Sequence, residues 1–202
     1  MNPRFTPHPP TPQFSLAHGF VKWLIARDEA RVLIVGLDGA GKTSFLELVK
    51  GAFNRAHRPA APGAVPPTIG MNLFKAGVAD MDVTLWDVGG SLRGIWATYY
   101  DDADAVVFVL DAADRARFGE AARALEGILR ATAGPVLVLA NKQDRPDAAR
   151  ASEVADEVCR PAGLALGAAA RRPTRILEVC AHRDDGTPRA AIEWVVGSLE
   201  RT

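Results

Sequence analysis

The chain has 202 residues, 48% of them hydrophobic and 24% charged, which suits one soluble domain with a buried core. Lys+Arg and Asp+Glu are equal at 24 each, excluding a bulk electrostatic attraction to nucleic acid or to an anionic membrane. Two cysteines, Cys159 and Cys180, lack metal-like spacing; this suits a reducing compartment and excludes a disulfide scaffold.

Residues 1–13 are proline-rich and polar, and they read as a disordered tail. Pro3, Pro9, Pro10 and Pro12 stand where a signal peptide would carry its apolar region. No apolar run approaches the roughly 20 residues that span a bilayer. The expected location is cytoplasmic, or peripheral on an intracellular membrane. Residues 14–26 change character: Ala17, Phe20, Val21 and Leu24 recur at helical spacing. This predicts an amphipathic helix that lies on a membrane, lies in a groove of its own domain, or simply packs on that domain.

Arg31–Val35 is a short β-branched run ending at Gly36, as a buried parallel strand should. A helix is predicted from Gly41 to about Lys50, then a Pro/Ala/Gly-rich loop over 51–67. Met71–Lys75 and Met81–Asp87 read as strands joined by a turn near Ala76-Gly77. Ala105–Asp111, Pro135–Ala140 and Arg175–Cys180 complete six strands. Helical segments are placed at Ala113–Arg130, Ser152–Glu157 and Ala190–Leu199. Strands alternating with helices predict a doubly wound α/β sheet with ligands at the strand carboxyl ends.

Gly36-Leu37-Asp38-Gly39-Ala40-Gly41-Lys42-Thr43 matches G-x-x-x-x-G-K-[ST] between a predicted strand and helix. Glycines let backbone N–H groups turn inward on phosphate oxygens, and the helix N-terminus points its partial positive charge at the same anion. Lys42 would reach the β- and γ-phosphates, and the Thr43 hydroxyl would ligate Mg²⁺. Asn141-Lys142-Gln143-Asp144 directly follows an apolar strand. The Asp144 carboxylate there can accept hydrogen bonds from a ring N–H and an exocyclic amine, a pair that guanine offers and adenine lacks. Cys180-Ala181, after the last strand, is placed for a backbone N–H to support the base carbonyl, although Cys180 also reads as a core residue. Asp87-Val88-Gly89-Gly90 sets a carboxylate at a strand tip for Mg²⁺ and a glycine N–H for a γ-phosphate. Pro67-Thr68-Ile69-Gly70 offers a further hydroxyl to the metal.

Taken in this order, with Pro67 to Asn72, Trp86 to Gly90 and Ala140 to Asp144, the sequence resembles the Arf/Arl (ADP-ribosylation-factor-like) small GTPases over roughly residues 14–200. The resemblance implies a P-loop NTPase of small-GTPase fold: a six-stranded, mostly parallel sheet with helices on both faces and an N-terminal amphipathic helix. Residues 27–202 would form the GTP-binding domain. GTP/GDP and Mg²⁺ are the implied cofactors, and a GTP-hydrolysing conformational switch in membrane trafficking or ciliary and organelle transport is the implied function. Nucleotide contacts fall on Asp38, Gly39, Ala40, Gly41, Lys42, Thr43, Ser44, Gly90, Asn141, Lys142, Asp144, Cys180 and Ala181. Metal contacts fall on Thr43, Thr68 and Asp87, and catalytic positions on Lys42, Thr68 and Gly90. In this family the hairpin between the two sensing loops slides along the sheet when GTP replaces GDP and displaces the N-terminal helix. Met71, Trp86 and Tyr99 fall on the apolar effector patch, and an exchange factor, a GTPase-activating protein and effectors are implied partners of an expected monomer.

Three departures qualify the resemblance. The glutamine that orients the attacking water is replaced by Ser91-Leu92-Arg93, so slow intrinsic hydrolysis is expected, and a hydrolysis-deficient GTP-bound scaffold is the alternative. The loop between Lys42 and Thr68 is about eight residues longer than the family norm, either a tolerated insertion or a regulatory one. With Asn2 in place of glycine N-myristoylation is not expected, and Leu199-Glu200-Arg201-Thr202 offers no prenylation cysteine, so any weak membrane contact is expected to rest on residues 14–25 or on a partner. A P-loop kinase or ATPase would share Gly36–Thr43 but lack Asn141–Asp144.

Overall fold

The computed structural model describes residues 28–60, 64–66, 68, 70–167 and 170–200. The tail expected at 1–13 and the helix expected at 14–26 lie outside the described residues. Six strands form one sheet: β1 (Asp28–Val35), β2 (Met71–Val78), β3 (Met81–Val88), β4 (Ala105–Asp111), β5 (Val136–Asn141) and β6 (Thr174–Glu178). Their spatial order is β2-β3-β1-β4-β5-β6. Only β2 runs antiparallel to its neighbour; β3, β1, β4, β5 and β6 are mutually parallel. The helices are α1 (Lys42–Phe53), α2 (Arg93–Trp96), α3 (Phe118–Ala131), α4 (Ala151–Val154) and α5 (Thr187–Leu199), with α4 continuing as a π-helical turn, Ala155–Cys159.

The central strands are apolar at nearly every position because both of their faces are covered. Side-chain alternation divides them between two cores. Leu33 and Val35 of β1, Val106, Phe108 and Leu110 of β4, and Val136 and Val138 of β5 pack under α3 and the α4 segment. The intervening residues Val32, Ile34, Val107, Val109, Leu137 and Leu139 pack under α1 and α5, against Phe45, Leu46, Ile192 and Val195. The parallel direction of β1, β3, β4 and β5 brings their carboxyl ends, and the loops that follow them, to one edge.

Several boundaries differ from the sequence reading. β1 begins at Asp28, pairing Asp28 with Met81, because backbone pairing with β3 extends past its apolar half. The hairpin turn falls at Ala79-Asp80, not Ala76-Gly77: Val78 is buried and pairs with Met81, and Ala79 supplies the left-handed φ of 50°. The helix expected from Ala113 starts at Phe118, because the Asp111 carboxylate accepts the Ala113 N–H at 3.1 Å and a 3₁₀ turn over Arg115–Arg117 intervenes. The last helix starts at Thr187, with Pro188 in its first turn, where a missing N–H leaves no helix bond unmade. The short α2 has too few residues for a periodic signal.

Candidate functional site

The loop from β1 into α1 forms the floor of a cleft of about 380 Å³, walled by Asp38, Gly39, Gly41, Lys42, Thr43, Ser44, Thr68, Gly90 and Ser91. Gly39 and Gly41 adopt left-handed φ angles of 73° and 94°, which turns the loop back over the start of α1. Gly41 caps that helix, so its free N–H groups and partial positive charge face the cleft. A Cβ at Gly41 would lie 2.2 Å from the Asn141 amide nitrogen, so no larger residue fits between the two loops.

Lys42 is only 5% exposed, and its ammonium donates to the Gly36 and Leu37 carbonyls at 2.9 Å each. Burial holds its pKa down to about 8, against the opposing pull of the Asp87 and Asp38 carboxylates. It is a cation enclosed by the phosphate loop.

Beside it, three oxygens converge. The Thr43 hydroxyl donates to Asp87 Oδ2 at 2.8 Å and lies 2.5 Å from the Thr68 hydroxyl, which in turn must donate to it. Asn72 Nδ2 reaches the same Asp87 oxygen at 3.3 Å. Asp87 is fully buried, and its Oδ1 has no hydrogen-bond partner among the described residues. A buried, unpartnered carboxylate oxygen is costly unless a cation answers it. Two hydroxyls and one carboxylate are the hard oxygen donors that suit Mg²⁺, which retains waters and phosphate oxygens for its other positions. Among the described residues no group of three or more His, Cys, Asp or Glu side chains could hold a metal, which disfavours a soft or all-protein site. The donor set fits Mg²⁺ shared with a phosphate ligand.

The second half of the site follows β5. Asn141 is buried; its Nδ2 donates to the Ala40 carbonyl at 2.7 Å, and its Oδ1 accepts the Ala181 N–H at 2.9 Å. One side chain therefore ties the phosphate loop to both base-side loops. Lys142 has a left-handed φ of 67° and its ammonium lies 2.5 Å from the Asp111 carboxylate. Asp144 is exposed, and its Oδ1 accepts the Cys180 thiol at 3.3 Å. Partial burial raises its pKa, but the Cys180 thiol, its own backbone N–H, and the charges of His182 and Arg145 lower it further, leaving a net decrease. Gln143 Nε2 donates to the Ala149 carbonyl at 2.9 Å and braces the loop.

The structure thus brings the sequence-selected nucleotide and metal positions to one edge, in two groups joined by Asn141, and leaves Met71, Trp86 and Tyr99 on the hairpin side. Four contributors escaped the sequence reading. Asn72 and Asp111 have a legible signal, since each lies in strand register with a selected residue: Asn72 with Asp87, and Asp111 with Asn141. Arg117 and Glu120 pair with each other three residues apart, but nothing in that spacing ties them to the site, because their outer partners Asp38 and Arg93 lie on other elements. Gln143 is the only glutamine among the described residues, and Ser91 stands in the cleft beside Gly90.

On the hairpin side, Trp86 and Tyr99 meet edge-to-face, with centroids 5.8 Å apart, and Leu73, the cross-strand partner of Trp86, is 56% exposed. Met71 and Ile95 are exposed as well. The long loop folds back on α1, where His57 Nε2 lies 2.8 Å from Glu47 Oε2.

A model of the ADP-ribosylation factor family matches residues 17–199. The chain is 34% identical over 194 residues to ADP-ribosylation factor-like protein 3 of Saccharomyces cerevisiae, covering 93% of this chain and 94% of that protein. It is 38% identical over 136 residues to human ADP-ribosylation factor-related protein 1, covering 65% and 68% of the two. Among solved structures, the Arl6 BBS3 small GTPase from Trypanosoma brucei, with bound GppNp, superposes with a TM-score of 0.68 at 26% identity, over 86% of this chain and 98% of that one.

Proposed function

The chain belongs to the ADP-ribosylation factor family, and on that premise we propose that it is a guanine-nucleotide switch with slow intrinsic GTP hydrolysis, acting in membrane or organelle transport. One observation carries the nucleotide assignment: Asn141 hydrogen-bonds to Ala40 of the phosphate loop and to Ala181 of the last base-side loop, so phosphate and base are gripped as one ligand. In this reading the N–H groups of residues 39–44 and the Lys42 ammonium hold the phosphates. Thr43, Thr68 and Asp87 hold Mg²⁺, which when bound neutralises phosphate charge. Asp144, kept ionised by the thiol and nearby cations, accepts the guanine ring N–H and amine, while Cys180 and Ala181 line that end. Lys142 supports the base side from its bond to Asp111. Gly90, in the wall of the cleft, would offer its N–H to a terminal phosphate. Met71, Leu73, Trp86 and Tyr99 form the face that an effector reads.

Slow turnover is supported by Ser91 in the cleft and by the engagement of Gln143 elsewhere. A side chain that orients water would have to come from a partner. The same observation favours the second reading, a chain that stays GTP-bound and serves as a scaffold.

The test is nucleotide content on purification, followed by competition of GTP and ATP for the fluorescently loaded protein and by single-turnover phosphate release with Mg²⁺. Guanine nucleotide should copurify, ATP should compete at least a hundredfold less well, and phosphate release should be on the order of 10⁻⁴ s⁻¹ or slower. Equal competition by ATP would overturn the guanine reading. Hydrolysis below detection would select the scaffold.

A further inference from the structure

Four alternating charges cross the terminal-phosphate side of the cleft. Arg93 Nη2 of α2 lies 2.6 Å from Glu120 Oε1, and Glu120 Oε2 lies 2.9 Å from Arg117 Nε. Arg117 Nη2 then meets Asp38 Oδ1 at 2.7 Å, and its Nη1 donates to the Asp38 carbonyl at 3.2 Å. The series begins on the segment that follows Gly90, passes through the first turn of α3 and ends on the phosphate loop itself. Each inner member serves two partners, and the four charges sum to zero.

Two further contacts show how closely the segment is held. A Cβ at Gly90 would lie 2.4 Å from the Asp38 nitrogen, so the two backbones are in direct contact. At the far end, the buried Trp96 indole donates to the Gly89 carbonyl at 3.3 Å. The segment Gly90–Trp96 is therefore fastened at both ends by this chain's own groups.

We infer that Glu120 is a positioning residue: through Arg93 and Arg117 it clasps the Gly90–Trp96 segment onto the phosphate loop and slows nucleotide release. The inference rests on the nucleotide-switch reading above. The clasp involves no terminal phosphate, so it retards GDP as well as GTP, and it occupies the stretch where the water-orienting glutamine is missing. The Arg117 hydrogen bond to Asp38 lowers that carboxyl's pKa, and Arg117 and then Arg93 lower that of Glu120, so both carboxylates of the series stay ionised across the neutral range. The pairs are partly exposed, and they are screened by salt.

The experiment measures release of fluorescent GDP and GTP from the full chain with Mg²⁺ present, for wild type, Glu120→Gln, Arg93→Ala and the double variant. Glu120→Gln should release both nucleotides roughly threefold to tenfold faster, the scale set by a few exposed ion pairs. Arg93→Ala, which leaves α3 intact, should do the same to a smaller degree. The double variant should be no faster than Glu120→Gln alone, because both act on one network. Wild-type release should approach that of Glu120→Gln at about 1 M salt, and Glu120→Asp should restore slow release in part. Unchanged release from Glu120→Gln, with wild type binding GDP normally, overturns the clasp alone. Effects of Arg93→Ala and Glu120→Gln that multiply also overturn it. A wild-type protein that binds no guanine nucleotide removes the underlying reading, and the clasp with it.

Discussion

Asn141 has its amide divided between two loops, and its removal is the cleanest single-residue probe of the site. Asn141→Ala would leave the Ala40 carbonyl and the Ala181 N–H unpaired in a buried place, each worth about 1–3 kcal/mol. The expected outcome is a stability loss of about 2–6 kcal/mol together with a loss of GTP affinity of at least tenfold in the protein that remains folded, read by denaturant unfolding and equilibrium titration; unchanged GTP affinity of the folded variant would make Asn141 merely structural. Asp144 is the residue on which base choice turns. Asp144→Asn replaces an acceptor pair with one acceptor and one donor, so GTP should weaken and xanthosine triphosphate should gain; retained GTP preference would remove Asp144 from that role. The two thiols should also differ. Burial pushes Cys159 up to about 12, and it should stay unlabelled by a thiol reagent until the chain unfolds. Cys180, hydrogen-bonded to Asp144, should label slowly and be protected by GDP. Rapid native labelling of Cys159 would contradict its burial.

At the scale of elements, α3 holds one face of the sheet through Phe118, Ala121, Leu125 and Ile128. Leu125→Ala should lower stability by about 2–5 kcal/mol, measurable by denaturant unfolding, since Leu125 is fully enclosed. A change below about 1 kcal/mol would mean that the helix repacks. Elements such as β4 and β5 were legible because a strand covered on both faces must be apolar throughout, and the phosphate and base loops were legible because their chemistry is local to one strand end. The ends of elements were less so. β1 gains three residues from pairing with β3 that its own composition does not demand, and the hairpin turn is set by Val78 finding a buried place. Site residues followed the same division. Those within one motif were readable, whereas the Asp38–Arg117–Glu120–Arg93 series joins positions up to 79 residues apart, and only its middle pair, Arg117–Glu120, has a helical spacing to signal it.

At the scale of the molecule, the described residues form one sheet with two cores, and the ligand cleft lies at the sheet edge between them. Binding should therefore stabilise the entire fold: nucleotide at 100 times its Kd adds about 2.7 kcal/mol. For a domain of this size that corresponds to roughly 5–10 °C in Tm, expected for GTP and GDP with Mg²⁺ and absent for ATP. A rise with ATP of equal size would contradict base selection at the level of the fold. Separately, none of the helices among the described residues is long and apolar enough to cross a membrane.

The β2–β3 hairpin carries one more consequence. β3 lies parallel to β1, with Val83 and Leu85 turned toward α1 and α5, and Trp86 and Val88 toward α3. A slip of one residue along β1 would send Val83 and Leu85 to the wrong side and Trp86 with them, whereas a slip of two, about 6.6 Å, restores every side chain to its own side. The sheet edge is thus a ratchet with two-residue teeth: halfway positions are barred by parity, and any sliding of this hairpin has to be all-or-none.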